Sequence, residues 1–223
     1  MTLLTKTKNM YDPDLNLRVF STQNSLTRNT TIDCHDLIYI PEFLCNENNL
    51  FYYDLMLKHD SDLLCHNIVQ SVEKTLPVKI TKTRLNFFET DDYSCQTTPF
   101  HRDFPALIAD SKENICVTVS LGSKRKITFR QYQTRKNQDD PWQKINKGTT
   151  INLECNNGSL YAFARDVNVE WEHAICPSYG ELSKEDPHRI SFVCWGVTTN
   201  TMSKKGTRVS TREIPSAKEL GLS

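Results

Sequence analysis

Ile115-Cys116-Val117-Thr118-Val119-Ser120-Leu121-Gly122, followed by Lys126-Ile127-Thr128-Phe129-Arg130, reads as two short strands either side of a turn. The pattern continues outward from there. Strand candidates fall at 79–89, 115–121, 126–132, 149–153, 159–163, 172–176 and 189–197, separated by Pro, Gly, Asn and Asp turns. Upstream, Asp36–Leu44 is a short apolar strand closed by Pro41, and Asn46 is placed to cap a helix carrying Leu50, Phe51, Tyr53, Leu55, Met56 and Leu57. That helix is apolar over more than one stripe and is expected to pack firmly on a sheet. A second helix is expected over about 61–76, where Leu64, Ile68, Val72 and Leu76 recur every four residues and Pro77 ends the run. Two helices followed by a run of strands predict an α+β, mainly β chain, with helices packed against an antiparallel barrel or a jelly roll.

The 223 residues suffice for one large domain with a sizeable core, and 38% hydrophobic with 24% charged residues suits a soluble globule. Lys+Arg and Asp+Glu are both 27, which removes the global basicity of a protein held on nucleic acid mainly through phosphates. Lysines stand near the amino terminus where a secretory signal needs an apolar core, and no apolar run reaches the length of a membrane span. The eight cysteines include no Cys-x-x-Cys, so they read as reduced thiols of an intracellular protein, cytoplasmic or nuclear and not secreted. The expected organisation is a polar arm over 1–33, a domain over 34–198, and a polar tail over 199–223 with Lys204, Lys205, Arg208 and Arg212. Neither a membrane nor an obligatory protein partner is expected.

The chemistry-bearing residues sit on this scaffold at telling places. His101 and Asp103 follow the first long strand, His173 lies in the sixth candidate strand, and Arg189 opens the seventh. In a jelly roll, strands remote in sequence face each other, so these groups can meet. Two imidazoles and one carboxylate on one face of a metal leave the opposite face open, which is the ligand set of non-haem Fe(II) oxygenases. Arg189 offers a fixed fork for a carboxylate co-substrate such as 2-oxoglutarate. His59 and His66 read as ordinary helical histidines.

His101-Arg102-Asp103, Ile115–Gly122, Lys126–Arg130, Asn157-Gly158-Ser159-Leu160, Trp171-Glu172-His173 and Arg189-Ile190-Ser191-Phe192, in that order, resemble the AlkB family of Fe(II)/2-oxoglutarate-dependent dioxygenases across roughly 36–197. The resemblance implies a double-stranded β-helix with Fe(II) on His101, Asp103 and His173, and Arg189 gripping the far carboxylate of 2-oxoglutarate. It also implies that O2 and 2-oxoglutarate are consumed to give succinate and CO2, and that an N-methyl group is oxidised and lost as formaldehyde. The implied substrate is methylated DNA or RNA. Asn86 and Phe88 stand where the family has asparagine, one residue, then tyrosine; Asn86 is implied to bond 2-oxoglutarate, while Phe88 lacks the hydroxyl.

Three features depart from the family. Trp195 stands where repair members carry a second arginine, and it reads as core packing, with Arg84 or Asn86 left to hold the near end of 2-oxoglutarate. Asp103 is followed by Phe104-Pro105 with no acid, and the two helices are too close for a base-clamping lid. Lys124, Arg125, Lys126 and Arg130 form a basic cluster, read as a solvated strand end or a phosphate track, while 179–186 beside the site is net acidic. The departures spare the iron site and bear on the substrate. The alternatives are an oxygenase acting on a protein or small molecule, and an inactive jelly-roll binding module.

Overall fold

The chain runs β1 (Thr2–Leu3), β2 (Met10–Asp12), β3 (Leu17–Phe20), β4 (Asp36–Ile40), α1 (Phe51–Leu57), α2 (Ser61–Thr75), β5 (Val78–Phe88), β6 (Ile115–Gly122), β7 (Arg125–Arg135), β8 (Gln143–Cys155), β9 (Leu160–Ala164), α3 (Arg165–Glu170), β10 (Trp171–Cys176) and β11 (Arg189–Thr198). The computed structural model describes residues 2–3, 10–12, 17–20, 31–58, 61–88, 98–103, 112–135, 143–176 and 188–198. His59, Phe104-Pro105, the acidic stretch 179–186 and the tail 199–223 lie outside the described residues.

One sheet has the order β2-β3-β4-β9-β6-β11-β5 and the other β1-β8-β7-β10. Among the described residues, β1 with β8 and β3 with β4 pair in parallel, and the other neighbours pair antiparallel. This is the jelly-roll arrangement expected from the sequence, with the two sheets not closed into a barrel.

Side-chain alternation along the central strands divides the core in two. Ile115, Val117, Val119 and Leu121 of β6 share one cluster with Ile190, Phe192 and Cys194 of β11, and with Tyr53 and Met56 of α1 and Leu64, Ile68 and Val72 of α2. Residues of the opposite parity, Cys116, Tyr161, Phe163 and Val193, share the second cluster with Ile127, Phe129, Leu153, Trp171 and Ile175 of the smaller sheet. The larger sheet is thus covered on both faces. That is why β6 is buried at every position and why its sequence is apolar or small throughout.

Helix α2 starts and buries residues as its period predicts. The first helix differs from expectation. It begins at Phe51, with Leu50 at the cap position and no side-chain cap bond. Asn46 instead closes a preceding turn, its Oδ1 accepting the Asn48 N–H at 3.1 Å, a local bond that competes with helix capping. The helix does pack on the core as expected, with Tyr53 and Met56 buried and Tyr52 and Leu55 against the same cluster, while Phe51 and Leu57 are exposed. Within 1–33, expected as a polar arm, β3 pairs with β4 and β1 with β8, so these short strands extend the sheet edges.

Two glycines of the quoted motifs have structural roles. Gly122 has φ +80°, and a Cβ there would lie 2.0 Å from the His188 carbonyl oxygen; at Gly158, φ +74°, it would lie 2.3 Å from that of Cys45. Asn157 fastens the same corner, its Oδ1 accepting the Gly122 N–H at 3.0 Å and its Nδ2 donating to the Asn49 carbonyl at 2.8 Å. Among the described residues, Cys34, Cys45, Cys65, Cys116, Cys155 and Cys194 are free thiols, and no helix is long and apolar enough to cross a membrane.

Candidate metal centre

The centre begins with a backbone contact between segments remote in sequence. His101 and His173 form an antiparallel bridge, the N–H of each donating to the carbonyl of the other at 3.0 and 2.8 Å. Thr98 holds the same edge, its Oγ1 accepting the Ile175 N–H at 2.8 Å. Both imidazoles are thereby presented on one side, 4.5 Å apart between ring centroids. The His173 ring packs against both Phe129 and Phe163, which also touch each other.

Asp103 is placed by α3. Its N–H donates to Asn168 Oδ1 and its carbonyl accepts from Asn168 Nδ2, both at 2.8 Å. The asparagine amide thus pairs this loop as a neighbouring strand would. Asp103 Oδ1 lies 3.7 Å from His173 Nε2 and 3.9 Å from His101 Nε2, while Oδ2 accepts the Trp195 indole N–H at 3.1 Å. One carboxylate oxygen is tied off and the other faces both imidazoles. Trp195, expected as core packing, therefore also acts as a donor to Asp103. Outer-shell bonds of this kind fix a ligand's orientation. Trp195→Phe is expected to weaken Co(II) binding roughly tenfold to a hundredfold, with only a small change in melting temperature. Unchanged affinity in a Co(II) titration would remove Trp195 from the support of the centre.

The protonation states suit a metal. A carbonyl can only accept, so the 2.7 Å contact of His101 Nδ1 with the Pro99 carbonyl puts the ring proton on Nδ1 and leaves the Nε2 lone pair facing inward. Burial, aided by His101 and opposed by Asp103, lowers the His173 pKa to about 4, so at neutral pH this ring needs no deprotonation to serve as a ligand. The folded value lies below the ordinary 6.5. Between these values the unfolded chain binds more protons, so this contribution to stability is present above about pH 6.5 and is lost as pH falls towards 4. In metal-free protein the loss is on the order of 3 kcal/mol. Urea midpoints at pH 7 and pH 4.5 should show it in the wild type and much less of it in His173→Asn. Equal pH dependence in both would assign the effect elsewhere.

The donor atoms of His101, Asp103 and His173 lie within 4.8 Å of one another. Two imidazoles and one carboxylate fit Fe(II) with positions left open for other ligands. Asp33, Cys34 and His35 meet the same spacing as consecutive residues, but Asp33 Oδ1 already accepts the Cys34 thiol and the His35 N–H in a turn.

A cavity of about 610 Å³ opens on the triad, and Arg84, Asn86, Phe88, Tyr161, Ser191 and Trp195 also line it. Asn86 stands across from Ser191 on the neighbouring strand. Arg189 lies behind this lining and is fully buried. Its Nη2 donates to Ser120 Oγ at 3.0 Å, whereas Nε and Nη1 are buried with no partner. The Phe88 ring covers it at 5.3 Å from Cζ. Arginine stays charged when buried, and an uncompensated interior charge costs several kcal/mol. A carboxylate accepting from Nη1, end-on beside Nη2, would offset that cost.

Other candidates fall away from the centre. His66 is exposed, 2.8 Å from the side-chain amide of Gln70. The basic cluster is no continuous track: Lys124 pairs with Glu154 at 3.1 Å, Arg130 with Glu172 at 2.7 Å, and Arg125 is turned inward and buried. Alternation could have revealed Trp195, which shares the parity of Arg189, Ser191 and Val193 and hence the inner face of β11. Asn168, in a six-residue helix, carries no comparable signal.

No family model matches the sequence, and no curated protein matches it. Among solved structures the chain is similar to the Kdo hydroxylase KdoO, a non-heme Fe(II) alpha-ketoglutarate dependent dioxygenase, at 10% identity and TM-score 0.44, covering 80% of this chain and 89% of that one. It is also similar to the non-heme alpha-ketoglutarate dependent epimerase SnoN from nogalamycin biosynthesis, at 12% identity and TM-score 0.45 over 71% and 78%. A third similar structure is that of OsALKBH1, at 15% identity and TM-score 0.33 over 64% and 62%.

Proposed function

We propose that this chain is an Fe(II)- and 2-oxoglutarate-dependent dioxygenase, with His101, Asp103 and His173 holding the iron, Arg189 the far carboxylate of 2-oxoglutarate, and Asn86 contributing beside it. The observation that carries the reading is the pairing of a His/Asp/His triad with a fully buried arginine, two of whose nitrogens have no partner, around one interior. When bound, iron with O2 and 2-oxoglutarate supplies oxidation of a substrate C–H bond, with release of succinate and CO2. The protein's part is placement and exclusion of water. Asp103 and the two imidazoles would hold the ion, Asn168 and Trp195 fix Asp103, and Phe163, Ile175 and Val193 supply apolar wall.

The substrate we assign is N-methylated nucleic acid, whose oxidised methyl group leaves as formaldehyde. Support comes from the AlkB-like order of motifs, and from Phe87, 54% exposed beside the cavity with Arg84 on the same strand, which offer a face for a base outside its stack and a cation for its backbone. A second reading, a protein or small-molecule substrate, is favoured by the ion pairs that take up Lys124 and Arg130. Residues 34–198 form the unit to which we assign the activity.

Iron-loaded protein given methylated oligonucleotides, methylated peptides and no substrate separates these readings. Formaldehyde from oligonucleotides alone supports demethylation of nucleic acid, and formaldehyde from peptides alone supports the second reading. Absence of succinate under all conditions contradicts the enzyme.

A further inference from the structure

We propose that Tyr161 is a carboxylate-binding residue: its hydroxyl holds the far carboxylate of 2-oxoglutarate together with Arg189, and takes over the role of the hydroxyl that Phe88 lacks. This rests on the function proposed above.

Strand order supplies the geometry. β6 and β11 lie side by side, with β5 flanking them on one side and β9 on the other. Phe88 of β5 stands directly across from Arg189, while Tyr161 of β9 stands across from Thr118, two residues from the Ser120 that accepts from the Arg189 guanidinium; both line the cavity. Phe88 presents only a ring edge or face to an anion. Tyr161 is 4% exposed and stands directly across from Thr118. Burial raises its pKa, against the opposing charge of Arg189 and a bond from Thr118, so the phenol keeps its proton and can donate.

A carboxylate has about four lone-pair directions. The unpartnered Nη1 of Arg189, with the second hydrogen of Nη2, can fill two of them as an end-on fork. Hydroxyl donors must fill the rest if the bound anion is to be satisfied in a dry interior. Ser191 is placed to give one: its Oγ is buried, unpartnered and in the cavity lining. Tyr161 gives the other. A second inward-turned guanidinium, Arg125, lies close enough to be depressed by the charge of Arg189 as well as by burial. This end of the interior is therefore positive, while Asp103 is the negative group at the triad. A keto acid with a second carboxylate is oriented by that polarity, keto end towards the metal.

The test uses full-length protein loaded with Mn(II), titrated calorimetrically with 2-oxoglutarate and, separately, with pyruvate, which has no far carboxylate. Tyr161→Phe is expected to bind 2-oxoglutarate roughly tenfold to a hundredfold more weakly, with pyruvate binding and Mn(II) affinity unchanged. Phe88→Tyr, which keeps Tyr161, is expected to change 2-oxoglutarate affinity by less than about threefold, because the hydroxyl position is already filled. Combining the two substitutions should recover most of the lost affinity. Unchanged 2-oxoglutarate binding in Tyr161→Phe, an equal loss for pyruvate, or about a tenfold gain in Phe88→Tyr alone overturns the assignment of Tyr161 and leaves the dioxygenase reading standing. Wild-type protein that binds no 2-oxoglutarate overturns both.

Discussion

Arg189→Met is expected to stabilise the metal-free protein while abolishing its binding of 2-oxoglutarate. The guanidinium is fully buried and holds one hydrogen bond, to Ser120, with two further nitrogens unpartnered. Replacing such a group by an apolar side chain of similar length removes the desolvation penalty, and comparable replacements gain about 1–4 kcal/mol. The same change removes a charge-assisted fork for a carboxylate, so the affinity loss should exceed roughly a hundredfold. Thermal unfolding without ligand and calorimetric titration with 2-oxoglutarate read the two effects separately. A variant that is less stable yet binds 2-oxoglutarate normally would make Arg189 a structural residue. The opposed signs matter, because an arginine retained for packing should move stability downwards when it is removed.

Asp103→Ala carries the second large effect. The Asp103 carboxylate accepts the Trp195 indole N–H, with the Cys116 thiol as a weak donor beside it and Oδ1 facing the imidazoles, and the backbone clamp with Asn168 does not depend on the side chain. The fold should therefore survive with a loss of about 1 kcal/mol, the cost of one lost hydrogen bond. Metal affinity should fall by more than the roughly tenfold to hundredfold that loss of an outer-shell partner costs, and turnover with it. Equilibrium dialysis against Co(II), beside a melting curve, checks both. Unfolding of the variant, or full retention of metal, contradicts a ligand role for Asp103.

The parts legible in the sequence were those marked by turn residues and by a helical period. Ile115–Gly122 and Arg189–Thr198 were legible as short strands bounded by turn residues, and Leu64, Ile68 and Val72 as the packed stripe of a helix. The covering of the larger sheet on both faces and the inward course of Arg189 emerge only from the packing. The convergence of His101, Asp103 and His173 was legible because jelly-roll strands remote in sequence meet. What was missed depends on single polar contacts rather than on period. Asn46 could cap a helix or close a turn, and a local bond to Asn48 decides for the turn. Trp195 was read as an absent arginine and so as packing, although its parity placed it among the inner-face residues and its indole N–H reaches Asp103. The short strands before residue 33 follow open sheet edges beside β4 and β8, and their own residues carry little pattern.

Anaerobic equilibrium dialysis of the wild type and His173→Ala against Fe(II) and 2-oxoglutarate tests the centre most directly. The expected result is one iron and one 2-oxoglutarate per wild-type chain, with 2-oxoglutarate uptake dependent on iron and both lost together in His173→Ala. Iron uptake that survives in His173→Ala, or 2-oxoglutarate uptake indifferent to iron, would contradict a shared site built on His101, Asp103 and His173.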